Sequence, residues 1–347
     1  MKYFLLFLLL AFYSITFPQT EEAKTKFTEA IKLVDAGKYD EGIKLFEEVQ
    51  KLDPSSSAPQ YEIAYAYYAQ KKYDKAIVIL EKIKNMPDAE DRYFALLGNA
   101  YDLTNDRDKA IETYEAGLKK FPKSGSIYLE LGVVKLDEKK YDKALKFLID
   151  GLELREEIGD QSGIAISYSN IGINYNLTND FLKAESYLLK AIVIMNRIGD
   201  KASLSNTYNN LGDLYYKFKK YNEAKKMQLT SLEIASEIHS KPTLLYTYAS
   251  LIKCDSALGD FKEAYEYQRQ YIITKDSVFR EESDKRMQEM QTKYETEKKE
   301  TEIQLLTKDS ELQKSKVKTQ RIVIGSIIAG LIIMIALAFF IFNRLQI

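Results

Sequence analysis

Asn170 and Asn210 stand forty residues apart in two segments of matching pattern, Tyr168-Ser169-Asn170-Ile171-Gly172 and Thr207-Tyr208-Asn209-Asn210-Leu211-Gly212. A carboxamide carries donor and acceptor together, so such a pair can satisfy a peptide group of any sequence. Asn174, Asn176 and Asn209 thicken the cluster. The chemistry on offer is recognition of a polypeptide backbone. The same amides also serve to cap local backbone or to face water, and both readings stay open. The corresponding places earlier in the chain hold Glu62, Leu96 and Glu130, so an amide-lined site falls in the second half.

Reactive chemistry has few candidates. Cys254 is the single cysteine, so it can form neither an internal disulfide nor a cysteine-based metal site. Its expected state is a buried, inert thiol in a helix. His239 is the single histidine, and with no second His or Cys to join it, it reads as a turn-adjacent residue rather than a base or ligand. The chain has no glycine-rich phosphate loop, no metal-ligand cluster and no nucleophile with a histidine nearby. No catalytic residue, cofactor or metal is expected. Fifty basic and fifty-one acidic residues nearly cancel, which leaves no general field to gather nucleic acid. Trp is absent and Tyr abundant, which suits helices packed through large side chains with a polar tip.

What must position the amides is a repeating element. A small residue closes a short marker at the start of seven amphipathic runs. The first four are Tyr39-Asp40-Glu41-Gly42, Tyr73-Asp74-Lys75-Ala76, Arg107-Asp108-Lys109-Ala110 and Tyr141-Asp142-Lys143-Ala144. Phe181-Leu182-Lys183-Ala184, Tyr221-Asn222-Glu223-Ala224 and Phe261-Lys262-Glu263-Ala264 follow. The anchors at 42, 76, 110, 144, 184, 224 and 264 step by 34 three times and then by 40 three times. A fixed period in this range implies a stacked solenoid, which offers extended binding surfaces. The six extra residues per unit are placed by the sequence at the connection between one helix pair and the next. Ile158-Gly159-Asp160, Ile198-Gly199-Asp200 and Ile238-His239-Ser240 align there, and Gly-Asp is a helix-end and turn signal.

The units resemble the tetratricopeptide repeat. In unit three Leu97-Gly98, Tyr101, Ala110, Tyr114 and Pro122 fall at that family's consensus spacings, as do Tyr128, Leu131-Gly132 and Ala144 in unit four. Unit five supplies Ile171-Gly172, Tyr175, Ala184 and Ala191; unit six supplies Tyr208, Leu211-Gly212, Tyr215 and Ala224. Gly42 and Ile252 depart from the pattern in the first and last units. The resemblance implies an all-α fold, a superhelical solenoid of seven helix pairs over residues 20–275. It also implies that first helices line a concave groove holding an extended peptide or protein segment. Asn170, Asn174, Asn209 and Asn210 are the groove candidates on that basis. The longer units are similar to the extended subtype of peptide-binding scaffolds and bacterial sensor proteins.

The ends concern delivery. Met1-Lys2 followed by the apolar run Tyr3 to Phe17 and closed by Pro18 reads as a secretory signal, residues 1–19. Ile322 to Phe342 is an uncharged 21-residue run between Arg321 and Arg344, long enough for a transmembrane helix assigned to 321–343, with a short cytoplasmic tail after it (344–347). Export would place the repeats outside the cytoplasm, in the periplasm or extracytoplasmic space of a bacterial envelope. Lys314, Lys316, Lys318 and Arg321 before the span argue the reverse, a cytoplasmic tail-anchored adaptor. The same conflict points to a longer basic segment beyond Ile347. Residues 276–320 form a connector of interleaved charge, the pattern of an exposed helix. Met287 and Tyr294 share one heptad register, Leu305 and Leu312 another, out of phase. A homodimeric coiled coil and a single solvated helix both remain open. Two functions fit the whole: a membrane-anchored, non-enzymatic scaffold for peptides or proteins, or the sensor portion of a signal-transduction protein of histidine-kinase, phosphatase or regulator type without its output domain.

Overall fold

The computed structural model describes residues 20–345, so the signal reading of 1–19 lies outside the described residues. All regular structure there is helical: α1 (Glu21–Asp35), α2 (Tyr39–Leu52), α3 (Ala58–Ala69), α4 (Tyr73–Ile83), α5 (Asp91–Leu103), α6 (Arg107–Lys120) and α7 (Gly125–Asp137). α8 (Tyr141–Ile158), α9 (Gln161–Leu177), α10 (Phe181–Ile198), α11 (Lys201–Lys217), α12 (Tyr221–Glu237), α13 (Lys241–Leu258) and α14 (Phe261–Leu345) follow. Every second helix of a pair begins on the first residue of its marker.

The turn that sets each start is encoded five residues before the anchor. Gly37, Lys71, Asn105, Lys139, Asn179, Lys219 and Gly259 all sit at positive φ, between 56° and 84°. A left-handed residue just past a helix lets the next amide reach back to the last turn's carbonyl. Lys72 N donates to Tyr67 O at 2.8 Å, Lys140 N to Lys135 O at 2.9 Å and Lys220 N to Tyr215 O at 2.9 Å. Asp106 and Asp180 then cap the following helices through Lys109 N and Lys183 N. Helix end, turn and helix start are thus dictated by about five residues.

The forty-residue step has a different origin from the one the sequence suggested. The connection is shorter in the long units, not longer: residues 159–160 join α8 to α9, whereas 121–124 join α6 to α7. The added residues extend the helices instead. α8 and α9 have 18 and 17 residues against 14 and 13 for α6 and α7. Gly159 at φ 72° closes α8, and the Asp160 carboxylate caps α9 by accepting from Gly163 N at 2.9 Å. Two residues complete the turn, so the surplus remains helical. Gly199 and Asp200 repeat the device, and His239 holds the left-handed position at φ 54° in the third copy.

Packing follows the anchors. Ala76, Ala110, Ala144, Ala184 and Ala224 are fully buried where paired helices meet. Within a long unit the approach is close: a Cβ on Gly172 would stand 2.8 Å from Leu188 Cγ, so the glycine leaves the volume that Leu188 fills. First helices of successive units, such as α7, α9, α11 and α13, bring their backbones close together; from α2 to α12 no two second helices of neighbouring units do. The first helices therefore form the tight inner side of the array. The chain divides at Ile272 into the repeat body and a second unit from Ile273 onward. Within the latter, α14 includes a stretch long and apolar enough to cross a membrane, by length and composition.

Candidate functional site

On the inner side, residues fourteen before each anchor share one register: Glu62, Leu96, Glu130, Asn170, Asn210 and Ser250. Asn170 and Asn210 are half-buried. Asn170 Nδ2 donates to Ile166 O at 3.0 Å within its own helix, while its Oδ1 has no partner among the described residues. The Asn210 amide makes no hydrogen bond among them. Both keep capacity for an added peptide group.

The other two candidates are placed differently. Asn174 is buried, and its Nδ2 donates to Tyr141 O at 2.8 Å, tying α9 to the start of α8. Asn209 is buried, and its Oδ1 accepts from Thr247 Oγ1 at 3.0 Å, tying α11 to α13. A residue one position from Asn210 thus faces the neighbouring helix instead of the groove.

Beside Asn210 the inner side carries polar groups the sequence gave no reason to single out. Asp213, Tyr216, Tyr246, Ser250, Lys253 and Cys254 line a cavity of about 160 Å³. Tyr246 OH donates to Asp213 Oδ2, and Gln228 Nε2 reaches Asp213 Oδ1 at 3.3 Å. Burial pushes the Asp213 carboxyl above the ordinary range, opposed by the Tyr246 bond and by Lys253. The missed signal was periodic: Asp213 and Lys253 lie eleven residues before successive anchors, on the same helix face as the asparagines. Cys254 is buried, and burial raises its thiol to about 11, as suits an inert position. Among the described residues no cluster of His, Cys, Asp and Glu could hold a metal.

Earlier units carry charge in this register. Arg92 Nη1 bonds Glu62 Oε1 at 3.3 Å between α5 and α3. Glu130 is half-buried; burial raises its pKa, while the Asn99 side chain and the Arg155 charge lower it. A carboxylate raised in the folded state costs nothing below its unfolded pKa and destabilises as pH rises through the folded value. Glu130→Gln is therefore expected to raise the melting temperature at pH 7 and to have little effect at pH 4. Thermal melts at both values check this, and equal shifts at both would contradict it.

Comparison with known proteins agrees with the helix-pair register. One tetratricopeptide repeat profile matches residues 124–197 and 203–272, a second 33–100 and a third 96–150, together well over half of the chain. TPR repeat-containing protein YpiA of Bacillus subtilis (strain 168) is 25% identical over 135 residues, 39% of this chain and 32% of that protein. BBSome complex member BBS4 of Bos taurus is 28% identical over 112 residues, 32% of this chain and 21% of that one. The matched region spans a third or less of either relative. Among solved structures, the APC/C heterotetramer Cut9–Hcn1 superposes with a TM-score of 0.56 at 17% identity, over 67% of this chain and 42% of that one. That likeness is one of fold.

Proposed function

Because the chain belongs to the tetratricopeptide repeat family, a fold of protein-interaction scaffolds, we propose that it is a membrane-anchored, non-enzymatic scaffold holding a peptide or protein segment against the first helices of units five to seven. The observation that carries this is the pair Asn170 and Asn210, in one register on the inner side with unspent amide capacity. Asn174 and Asn209 serve by fixing the helices that present them. Ile322–Phe342 is the anchor. The apolar run before Pro18 supports export, with the repeats on the non-cytoplasmic side and the C-terminus in the cytoplasm.

Two lost amide contacts, each worth about 0.5–1.5 kcal/mol, amount to roughly a 5- to 150-fold loss of affinity. Asn170→Ala with Asn210→Ala should show that loss on an arrayed library of unmodified peptides. Binding that is unchanged would remove both residues from the site. Sidedness is tested separately: repeats that stay protected from protease after permeabilising the outer envelope would overturn export and favour the cytoplasmic tail-anchored adaptor, to which the basic residues before the span point.

One observation supports the sensor reading as well. α14 starts as the second helix of unit seven and continues unbroken to Leu345. A rearrangement of the last repeat on ligand binding would have a continuous helix along which to act. A kinase, phosphatase or DNA-binding sequence encoded directly downstream of Ile347 would select this reading over the autonomous scaffold.

A further inference from the structure

Met287, Tyr294, Leu305, Leu312, Val323 and Gly330 follow one another along α14 at steps of 7, 11, 7, 11 and 7. Seven and eleven together make eighteen residues, which is five turns at 3.6 residues per turn. Met287, Leu305 and Val323 therefore fall on one line of a straight helix. Tyr294, Leu312 and Gly330 fall on a second, roughly 20° away. A sustained seven-residue pattern winds helices left-handed and an eleven-residue pattern winds them right-handed. Alternating the two cancels the winding. The phase break between the Met287 and Leu305 pairs is thus a realignment, not a loss, of the face.

The first five of these side chains are between 51% and 67% exposed, and Met290 beside them is equally open. Ser326 carries the same face toward Gly330 one turn on, its hydroxyl bonded back to Ile322 O at 2.9 Å. A strict heptad can also include Met287, Tyr294, Leu305 and Leu312. It would then seat Gln291, Lys298, Thr301, Lys308 and Ser315 in its seam. The alternating steps meet an apolar or small residue at all six positions, with Lys298 and Lys316 lying about 20° to one side of the Met287 line.

We infer that this face is covered by a second copy of the chain, parallel and in register, forming a straight helix pair from Met287 to Gly330. A partner must present the same alternation at the same heights, which an identical chain does by construction. Two spans in one bilayer share a direction, and inside lipid close approach comes from small residues spaced as Ser326 and Gly330 are. Lys308 and Asp309 flank the stripe on opposite sides. In a parallel pair each lysine meets the partner's aspartate at nearly the same height, twice per dimer. The inference rests on the membrane-span reading only for its contacts beyond Leu312.

Oxidative cross-linking tests it, using the full chain in membranes with Cys254→Ser as background. Single cysteines at Met287, Tyr294, Leu305, Leu312 and Val323 should give disulfide-linked dimers severalfold more readily than cysteines at Ile303, Leu306 and Val317. Strong cross-linking at Lys308→Cys and Ser315→Cys, with little at Val323→Cys, would replace the straight pair with a left-handed coil. Uniform cross-linking, or none, would overturn the pairing. Gly330→Leu should reduce dimer formation through Val323→Cys; an unchanged yield would overturn the contact within the span. Cross-links at Met287 to Leu312 that survive solubilisation while repeat-side protease mapping contradicts export would leave the pairing intact and retire only the topology.

Discussion

Truncating Leu188 to alanine is expected to cost about 2–5 kcal/mol, as for other fully buried leucines. Leu188 lies four residues after the Ala184 anchor, packed over Gly172, with no exposed surface. The alanine would leave a void that the glycine opposite cannot close. Leu148 over Gly132 and Tyr114 over Gly98 hold the same register in units four and three. Unit six departs from the rule. There the residue over Gly212 is Gln228, fully buried, with Nε2 bonded to Asn209 O at 3.2 Å and Oε1 unbonded. Gln228→Leu restores the apolar register and removes an unsatisfied acceptor but withdraws the donor from Asn209 O and Asp213 Oδ1, so it should cost about 1–2 kcal/mol, less than Leu188→Ala. Denaturant melts of both variants check the contrast. A Leu188→Ala loss below that of Gln228→Leu would show that the register does not govern packing.

The second large effect is expected at Lys225. Asp255 on α13 has no exposed surface, and Lys225 Nζ of α12 lies 2.6 Å from its Oδ1, an ion pair by distance though bent out of hydrogen-bond geometry. Asp260, at the start of α14, stands 3.5 Å from the same Nζ. The Asp255 carboxylate beside the amine raises the Lys225 pKa, with a smaller contribution from Asp260, against the lowering effect of burial. Lys225→Met would leave a buried carboxylate without its cation, at a cost of about 3–5 kcal/mol. The double variant Lys225→Met with Asp255→Leu should recover most of that loss, because a buried pair replaced by apolar side chains is often neutral. Hydrogen exchange should show the single variant opening α12 to α14 while the earlier units stay protected, since each repeat leans chiefly on its neighbours. Loss of protection throughout the array would contradict this.

The helix starts were legible because their causes are local. A left-handed residue, a cap and a small anchor lie within about five positions, and none of them needs the rest of the fold. The placement of the extra six residues was not legible. A period reports the length of a unit, whereas helix or loop was decided by how few residues Gly159 and Asp160 need to turn. The asparagines show the same boundary at one site. Asn209 and Asn210 are adjacent in sequence and about 100° apart around a helix. Which one met α13 and which faced inward depended on the neighbouring unit's position. Gln228 and Gln268 could have been flagged as the polar exceptions four residues after an anchor, although the bond from Gln228 to Asp213 could not.

The change in helix length also limits how this array can be cut and rejoined. Unit four is a hybrid, since its first helix α7 has 13 residues and its second helix α8 has 18. Removing residues 181–220 would bring one long helix, α9, against another of the same length, α12. Removing an equal length that included α7 and α8 would set α6, of 14 residues, directly against α9, of 17. Units five and six are therefore matched in gauge, whereas unit four is an adaptor between two gauges, and growth or loss of repeats by duplication would meet matching helix lengths on either side of it but not across it.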